Sequence, residues 1–584
     1  MEKQRRGAAP ARGANHNGTR LVGLILLLPI VILWAVSLIV PTIRTMQLST
    51  QNVRLGREAL GVGLANYRQL FGSAPFAQAR DFTALLALER LLVVAIVPLL
   101  LALAVNAFGR WVRLPLRLIF TLPLAFFAPV GGTIAWSLAY NPTFGPFRGG
   151  GTILGSSRSA RLALLRMDAL TTLALACGLG LIVYLIARRV AGRAVVWAIT
   201  VCAALALALQ SFVPSFVLTR GGPTNGTATL GYLTYTIGFQ NLQLGSAAAL
   251  STLILVPVAL LGCLVAILIA ASDARLTLAP ILSPRAPGGG RTLAVVGLLL
   301  LGLGTLAACA YGAFPALWSF AASFKTNAEI LRQPGSLFPA TPTTGAYGRT
   351  EGAITDGRAF VNTLVPPFLS VFAIQLPIAY LGALGIGAPR PLGRRSEWLL
   401  LPFAPWLFVT ALPLGVANFT RLQAEGGLNR YASLIPPPTT TIAMLFILTI
   451  GFKGAALARE AAHEAGQRQS FLVGVIGPSL PLALLLALGA VVIAVQELFW
   501  PLLVASSNDL WTVPVALVQA LSRGATDVPL LAALLWRYAL PGGIVLLLLL
   551  WLAQILYVER LALETGRPQA RRVEEARSNT TEGR

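Results

Sequence analysis

Few side chains in this sequence are placed to do chemistry. Within its apolar stretches the ionisable residues that stand out are Glu89, Arg90, Asp168 and Glu497. A charge inside hydrocarbon is costly, so such residues mark ion pathways or proton relays where they face a cavity. The pair Glu89-Arg90 is predicted about two turns from the outer end of its apolar run, where long side chains reach water. Asp168 is predicted at the edge of its run, which leaves Glu497 as the deep carboxylate and a candidate to face a solute. So few intramembrane charges argue against ion-coupled chemistry. Nucleotide chemistry has no support either. The three lysines, Lys3, Lys325 and Lys453, lie outside any G-x-x-x-x-G-K-[ST] context. Histidines His16 and His463 and cysteines Cys177, Cys202, Cys263 and Cys309 show no metal-ligand spacing. No G-x-S-x-G or paired-carboxylate pattern rises above background. The chain is expected to be no enzyme and to hold no cofactor or metal of its own.

The elements that would position these residues are membrane helices. Hydrophobic residues make up 56% of the 584 and charged residues 11%, against about a quarter charged in soluble domains. Mean hydropathy is +0.74. Apolar runs of about 20 residues recur, long enough to cross a hydrocarbon core of about 30 Å. The alternating ten-residue segments of a transmembrane barrel are missing. The fold class is therefore all-α, a polytopic membrane protein with the lipid bilayer as its environment. Twelve spans are predicted in two sets of six. The first set lies near 21–41, 83–107, 116–140, 168–187, 194–219 and 246–270. The second lies near 292–314, 360–387, 397–420, 434–452, 473–504 and 540–558, the eleventh being long enough for a re-entrant portion at Trp500-Pro501.

The net charge of +24 invites a nucleic-acid reading, but the arginines are scattered through the loops and line no face. Nucleic acid is not an expected partner. Basic loops instead set orientation. With a cytoplasmic N-terminus, the inner loops carry 26 Lys and Arg and the outer loops 17, at more than twice the density on the inside. Both termini are predicted to be cytoplasmic. The expected organisation is an N-terminal tail, 1–20; a first half, 21–270; a Pro- and Gly-rich flexible linker, 271–291; a second half, 292–558; and a disordered cytoplasmic tail, 559–584. Equal span numbers give both halves the same orientation, a common transporter plan.

One inner loop, 458–472, is polar and sits between two apolar runs. Its core is Glu460-Ala461-Ala462 followed by Gly466. In a helix the alanines present a small-residue surface to a partner, and Gly466 lets the chain turn, because glycine takes positive φ cheaply. Taken alone, the segment reads equally well as a solvated connector.

Several motifs taken in order resemble the maltose-type sugar permeases of bacterial ATP-binding cassette (ABC) importers. The first half is similar to the larger permease partner through Gly63-Leu64-Ala65-Asn66-Tyr67, Trp136, Asn141-Pro142-Thr143-Phe144-Gly145-Pro146 and Thr219-Arg220-Gly221-Gly222-Pro223. The second is similar to the smaller partner through Ser323-Phe324-Lys325 with Glu329-Ile330 and Pro334, through Asn362-Thr363, and through Glu460-Ala461-Ala462 with Gly466. Glu497-Leu498-Phe499-Trp500-Pro501 and Thr512-Val513-Pro514 extend the match. Each match is weak alone; their order and spacing carry the resemblance.

The resemblance implies a multi-pass component of the bacterial cytoplasmic (inner) membrane with the two permease partners fused in one chain. It implies separate ABC ATPase subunits inside and a solute-binding protein outside, with a sugar or related polyol as solute. Gly221, Gly222 and Pro223 fall in the loop that would meet the binding protein. Trp136, Asn141, Gln496, Glu497 and Trp500 are the candidates for the solute path. Glu460, Ala461, Ala462 and Gly466 match the loop that couples the permease to an ATPase. The matching loop of the first half is reduced to six residues, 188–193, in which Arg188 and Arg189 could make a basic contact; coupling is expected to run mainly through the second half. The alternative is a twelve-span secondary carrier of the major facilitator type. Against it stands the loop between spans two and three, 108–117, which lacks the Asp of the G-x-x-x-D-[RK] pattern.

Overall fold

The computed structural model describes residues 16–53, 59–126, 128–147, 153–187, 190–278, 291–353, 357–524 and 527–566. Helix dominates them. Ten helices are long and apolar enough to span a bilayer, and two further bent pairs bring the number to twelve. In chain order these are α1 (Arg20–Ser49), α2 (Ala74–Asn106), α3 (Trp111–Phe126 and Pro129–Ala139, bent by 71°), α4 (Ser157–Ile186), α5 (Val190–Leu209) and α6 (Leu244–Ala271). Then follow α7 (Val295–Ser323), α8 (Arg358–Gly387), α9 (Gly393–Trp406 and Ala411–Ala424, bent by 69°), α10 (Thr440–Glu464), α11 (Leu472–Val495) and α12 (Val528–Leu556).

Every predicted span has a counterpart, but several begin well before their apolar run. Ser73 caps α2, its hydroxyl accepting from the Phe76 amide at 3.4 Å, with Pro75 in the first turn. Ser156 caps α4 in the same way through Ser159 at 3.2 Å. Polar first turns therefore belong to the helices, and the loops at 47–82 and 141–166 are shorter than hydropathy suggests. The helix that leads into α1 starts at His16, inside the stretch assigned to the N-terminal tail, of which residues 1–15 lie outside the described residues.

The two sets of spans interlock. The leading span α1 packs on α8 of the second set, with Gly23 and Gly385 so close that a Cβ on either would meet the other's carbonyl oxygen. Trp34 of α1 packs against Phe403 at 4.9 Å, tilted, and edge-to-face against Trp406 at 5.5 Å, both in α9. Reciprocally, α7 packs on α3 and α4 of the first set, and Trp551 of α12 donates to the Thr121 hydroxyl in α3 at 2.8 Å. Small residues at such crossings let helices approach where lipid supplies no hydrophobic drive.

Two helix breaks fall among the spans, and unpaired backbone there needs a partner. At the α9 break, Gln210 from the end of α5 supplies one. Its amide donates to the Phe408 carbonyl at 2.9 Å, and its Oε1 accepts from the Thr410 amide at 2.8 Å and the Thr410 hydroxyl at 2.9 Å. A side chain of one half thus stitches the open backbone of the other. After α11 ends at Val495 the chain forms a separate short helix, Phe499–Val504, over Trp500-Pro501.

Among the described residues there are also four short strands: β1 (Gln51–Asn52) with β2 (Leu60–Gly61), and β3 (Arg275–Leu278) with β4 (Leu561–Glu564), each pair antiparallel. The second pair limits the expected flexible linker and disordered tail at their inner ends: residues 275–278 and 561–564 pair with each other, and burial of Leu561, Ala562 and Leu563 orders them. Residues 279–290 and 567–584 lie outside the described residues.

Candidate functional site

Between the two halves lies a cavity of about 590 Å³. Small-molecule sites span about 300–1,000 Å³. Its walls come from α2, α3, α4 and α5 on one side and α7, α9 and α11 on the other. Mostly apolar, it carries a few convergent polar groups: Arg90, Asp168, Gln210, Ser211, Thr410, Gln496 and Glu497.

Arg90 and Asp168 are where hydropathy misplaced the chemistry. Because α2 begins at Ala74, Arg90 lies 16 residues, about 24 Å, along the helix rather than near its end. Because α4 begins at Ser157, Asp168 lies 11 residues, about 16 Å, inside it rather than at a boundary. The two meet across the cavity wall. The Arg90 guanidinium donates through Nε to Oδ2 and through Nη2 to Oδ1 of Asp168, both at 2.7 Å, and Nη2 also reaches the Ser211 hydroxyl at 3.2 Å. Their side chains are 16% and 5% exposed. This two-point geometry is the strong form of a charge-assisted pair. Glu89 lies beside it with its carboxyl group against that of Asp168. Three ionisable groups therefore sit together near the middle of their helices, correcting the reading of Glu89 and Arg90 as residues near a helix end.

Of the predicted solute-path residues, the fold brings Trp136, Gln496 and Glu497 to this cavity. Trp136 heads an aromatic cluster with Tyr140 at 5.2 Å, Phe147 at 5.8 Å and Tyr311 of α7 at 6.1 Å. Gln496 lines the cavity, and its buried Oε1 meets no hydrogen-bond donor among the described residues. Glu497 borders the cavity, and its Oε1 accepts from the Phe499 amide at 3.1 Å, at the start of the helix that follows. Asn141 and Trp500 fall outside the lining. Asn141 accepts from the Thr143 amide at 2.9 Å in a turn after α3. Trp500 is buried elsewhere, donating to the Ser433 carbonyl at 2.9 Å. Gln210, Ser211 and Thr410 were missed, being uncharged residues at helix ends whose importance depends on partners distant in sequence.

The loop containing Gly221, Gly222 and Pro223 is folded tightly. Gly221 has φ +74°, and a Cβ there would collide with the Tyr232 ring, whose hydroxyl donates to the Arg220 carbonyl at 2.6 Å. Arg220 also donates to the Ser522 hydroxyl at 2.8 Å, joining the loop to the second half. Gly221 is buried, whereas Gly222 and Pro223 are partly exposed. The motif beginning at Ser323 folds on itself too. Buried Lys325 donates to the Ser336 carbonyl and Trp318 to that of Pro334. Burial pulls the Lys325 ammonium below its ordinary pKa.

At the other end of the molecule, Glu460, Ala461 and Ala462 lie on the last turns of α10, which runs unbroken out of the bundle to Glu464. Glu460 and Ala461 are exposed and Ala462 is half-buried. The helix stops at Gly466, φ +82°. The Gly466 amide bonds to the His463 carbonyl at 3.0 Å and the Gln467 amide to that of Ala462 at 2.9 Å. These two bonds define a Schellman stop, which needs a left-handed residue at its centre. Arg188 and Arg189 lie outside the described residues.

No protein-family profile and no curated protein matches the chain. Among solved structures it is similar to a crystal structure of a bacterial ABC transporter involved in the import of the acidic polysaccharide alginate. The similarity covers 47% of this chain and 100% of that one, at 17% identity and a TM-score of 0.31. A superposition of that quality establishes neither the function nor the family of this chain.

Proposed function

We propose that this chain is the membrane-spanning permease of an ABC importer, two permease halves fused, which forms the path for a sugar or related polyol. Separate ATPase subunits supply the energy and an extracytoplasmic solute-binding protein delivers the solute. The observation that carries the reading is the combination of one cavity walled by both halves with an exposed Glu460–Gly466 turn at the end of an unbroken helix rooted in the bundle. The motif resemblance supports it independently. In this reading the halves rock about the cavity as the ATPases close, exposing it to alternate sides. Trp136 with its aromatic neighbours offers an apolar platform, and Gln496 with the Arg90–Asp168 pair offers hydrogen-bonding groups, the mixture hydroxylated solutes need.

The test is gentle extraction of the full chain from its source membranes, followed by reconstitution. The reading expects ABC ATPase subunits to remain bound in stoichiometric amounts, with uptake that requires ATP. One observation favours a second reading, a secondary carrier: the group Glu89, Arg90 and Asp168 in mid-span is the kind of site that relays protons. Uptake by the chain alone, driven by a proton gradient without ATP, would establish the carrier and overturn the importer.

A further inference from the structure

The segments leading out of the first half and out of the last span come together beside α10. β3 and β4 pair in the register Arg275 with Glu564, Leu276 with Leu563, Thr277 with Ala562 and Leu278 with Leu561. Arg275, 6% exposed, fastens the open end of the ribbon. Its guanidinium donates to Glu564 Oε2 at 3.2 and 3.0 Å and to the Gly566 carbonyl at 2.8 Å. The Gly566 amide in turn donates to the Ser272 carbonyl at 2.8 Å.

This ribbon touches both elements that coupling to an ATPase would use. On one side is α10. Its Lys453 ammonium, fully buried, lies between Asp273 Oδ1 at 2.5 Å, just ahead of β3, and Glu397 Oε1 at 2.8 Å, in the first turns of α9. The next residue, Gly454, lies directly under β3, where a Cβ would collide with the Leu276 carbonyl oxygen. On the other side is the start of α5, the first half's counterpart position, where a Cβ on Gly192 would lie 3.4 Å from the Leu563 carbonyl oxygen. Lys453 stands seven residues, about two turns, before Glu460 on the same helix.

From this juxtaposition we infer that the β3–β4 ribbon is a positioning element: it sets the Glu460–Gly466 turn against the inner end of the first half, so that α10 and the start of α5 move as one. A buried cation held by two carboxylates from different segments has a single low-energy arrangement, and buried ion pairs of this kind act best as devices of register. Gly454 removes the slack that a side chain would introduce. This inference rests on the importer reading for its purpose, since it explains how one coupling turn could serve two halves; the positioning itself does not depend on that reading.

The test uses the full chain in lipid nanodiscs, with the four native cysteines replaced by alanine. Spin labels are attached through ketone-bearing unnatural amino acids at His463 and Val190, both exposed. Electron–electron dipolar spectroscopy should give one narrow distance population for this parent. Arg275→Met should broaden or shift it, and a disulfide between the register partners in T277C/A562C should restore the parent distribution in the Arg275→Met chain, reversibly on reduction. If Arg275→Met does not yield monodisperse protein, Asp273→Asn serves in its place, since Lys453 keeps Glu397. An unchanged distribution, or a broadening that the disulfide does not reverse, overturns the inference. ATPase subunits co-purified with the wild-type chain are assayed in parallel. If none bind, the importer reading fails while the distances still decide the ribbon; if they bind to the wild type and are lost with Arg275→Met, both stand.

Discussion

Asp168→Asn strips the counter-charge from Arg90 while leaving shape and volume almost unchanged. In the native chain the guanidinium makes two bonds of 2.7 Å to Asp168 and one of 3.2 Å to Ser211, with the side chains 16% and 5% exposed. Removing one partner of a buried pair costs about 3–5 kcal/mol, because the remaining charge stays desolvated. The carboxyl group of Glu89 lies close enough to take over part of the neutralisation, which puts the expected loss near the low end, about 3 kcal/mol. The double variant Arg90→Met/Asp168→Asn removes both charges and should recover most of that loss, since no unpaired charge is left buried. The assay is thermal unfolding of the detergent-purified chain, followed by size-exclusion chromatography of heated samples. A midpoint several degrees lower for Asp168→Asn, largely regained in the double variant, is the expected result. A single variant as stable as wild type, or a double variant no better than the single, refutes the argument that the pair is buried and coupled in mid-membrane.

Gly466→Val places a β-branched residue at φ +82°, which costs about 1–2 kcal/mol in the left-handed region, with no neighbour within 4 Å to add a clash. It should fray Glu460–Glu464 and weaken ATPase retention while the unfolding midpoint stays within a degree or two. Gln210→Leu removes the partners of Phe408 and Thr410 at the α9 break, four hydrogen bonds in all with that to Ala206, and should cost about 2–4 kcal/mol, read as a lower unfolding midpoint. Burial lowers the folded pKa of Lys325 below its ordinary 10.5, so the unfolded chain binds that proton more tightly and stability rises as pH climbs toward 10.5. Lys325→Met should flatten that arm of the stability–pH curve measured by thermal unfolding.

Hydropathy and short polar signals carried much of this protein. Runs of apolar residues imply helices because a backbone in lipid must satisfy its own hydrogen bonds, so the number and order of spans were legible, as was the turn at Gly466, where only glycine suits the left-handed stop. Serines 73 and 156 mark the true starts of α2 and α4, yet a hydropathy average dilutes one capping residue among its polar neighbours. That displacement hid Arg90 and Asp168, which look peripheral until the helices are extended toward their caps.

Other features depended on partners distant in sequence. Arg90 and Asp168 are 78 residues apart, Gln210 and Thr410 are 200 apart, and Arg275 and Glu564 are 289 apart. No local pattern can announce such pairs, since each residue is unremarkable in its own segment and acquires its role by burial opposite the other. Composition alone made this a membrane protein of about twelve spans, because the energetics of lipid are read one segment at a time. Only the tertiary structure decided that α1 and α7 cross to opposite halves, that a cavity lies between them, and that linker and tail form a ribbon, because each is a matter of which surfaces meet.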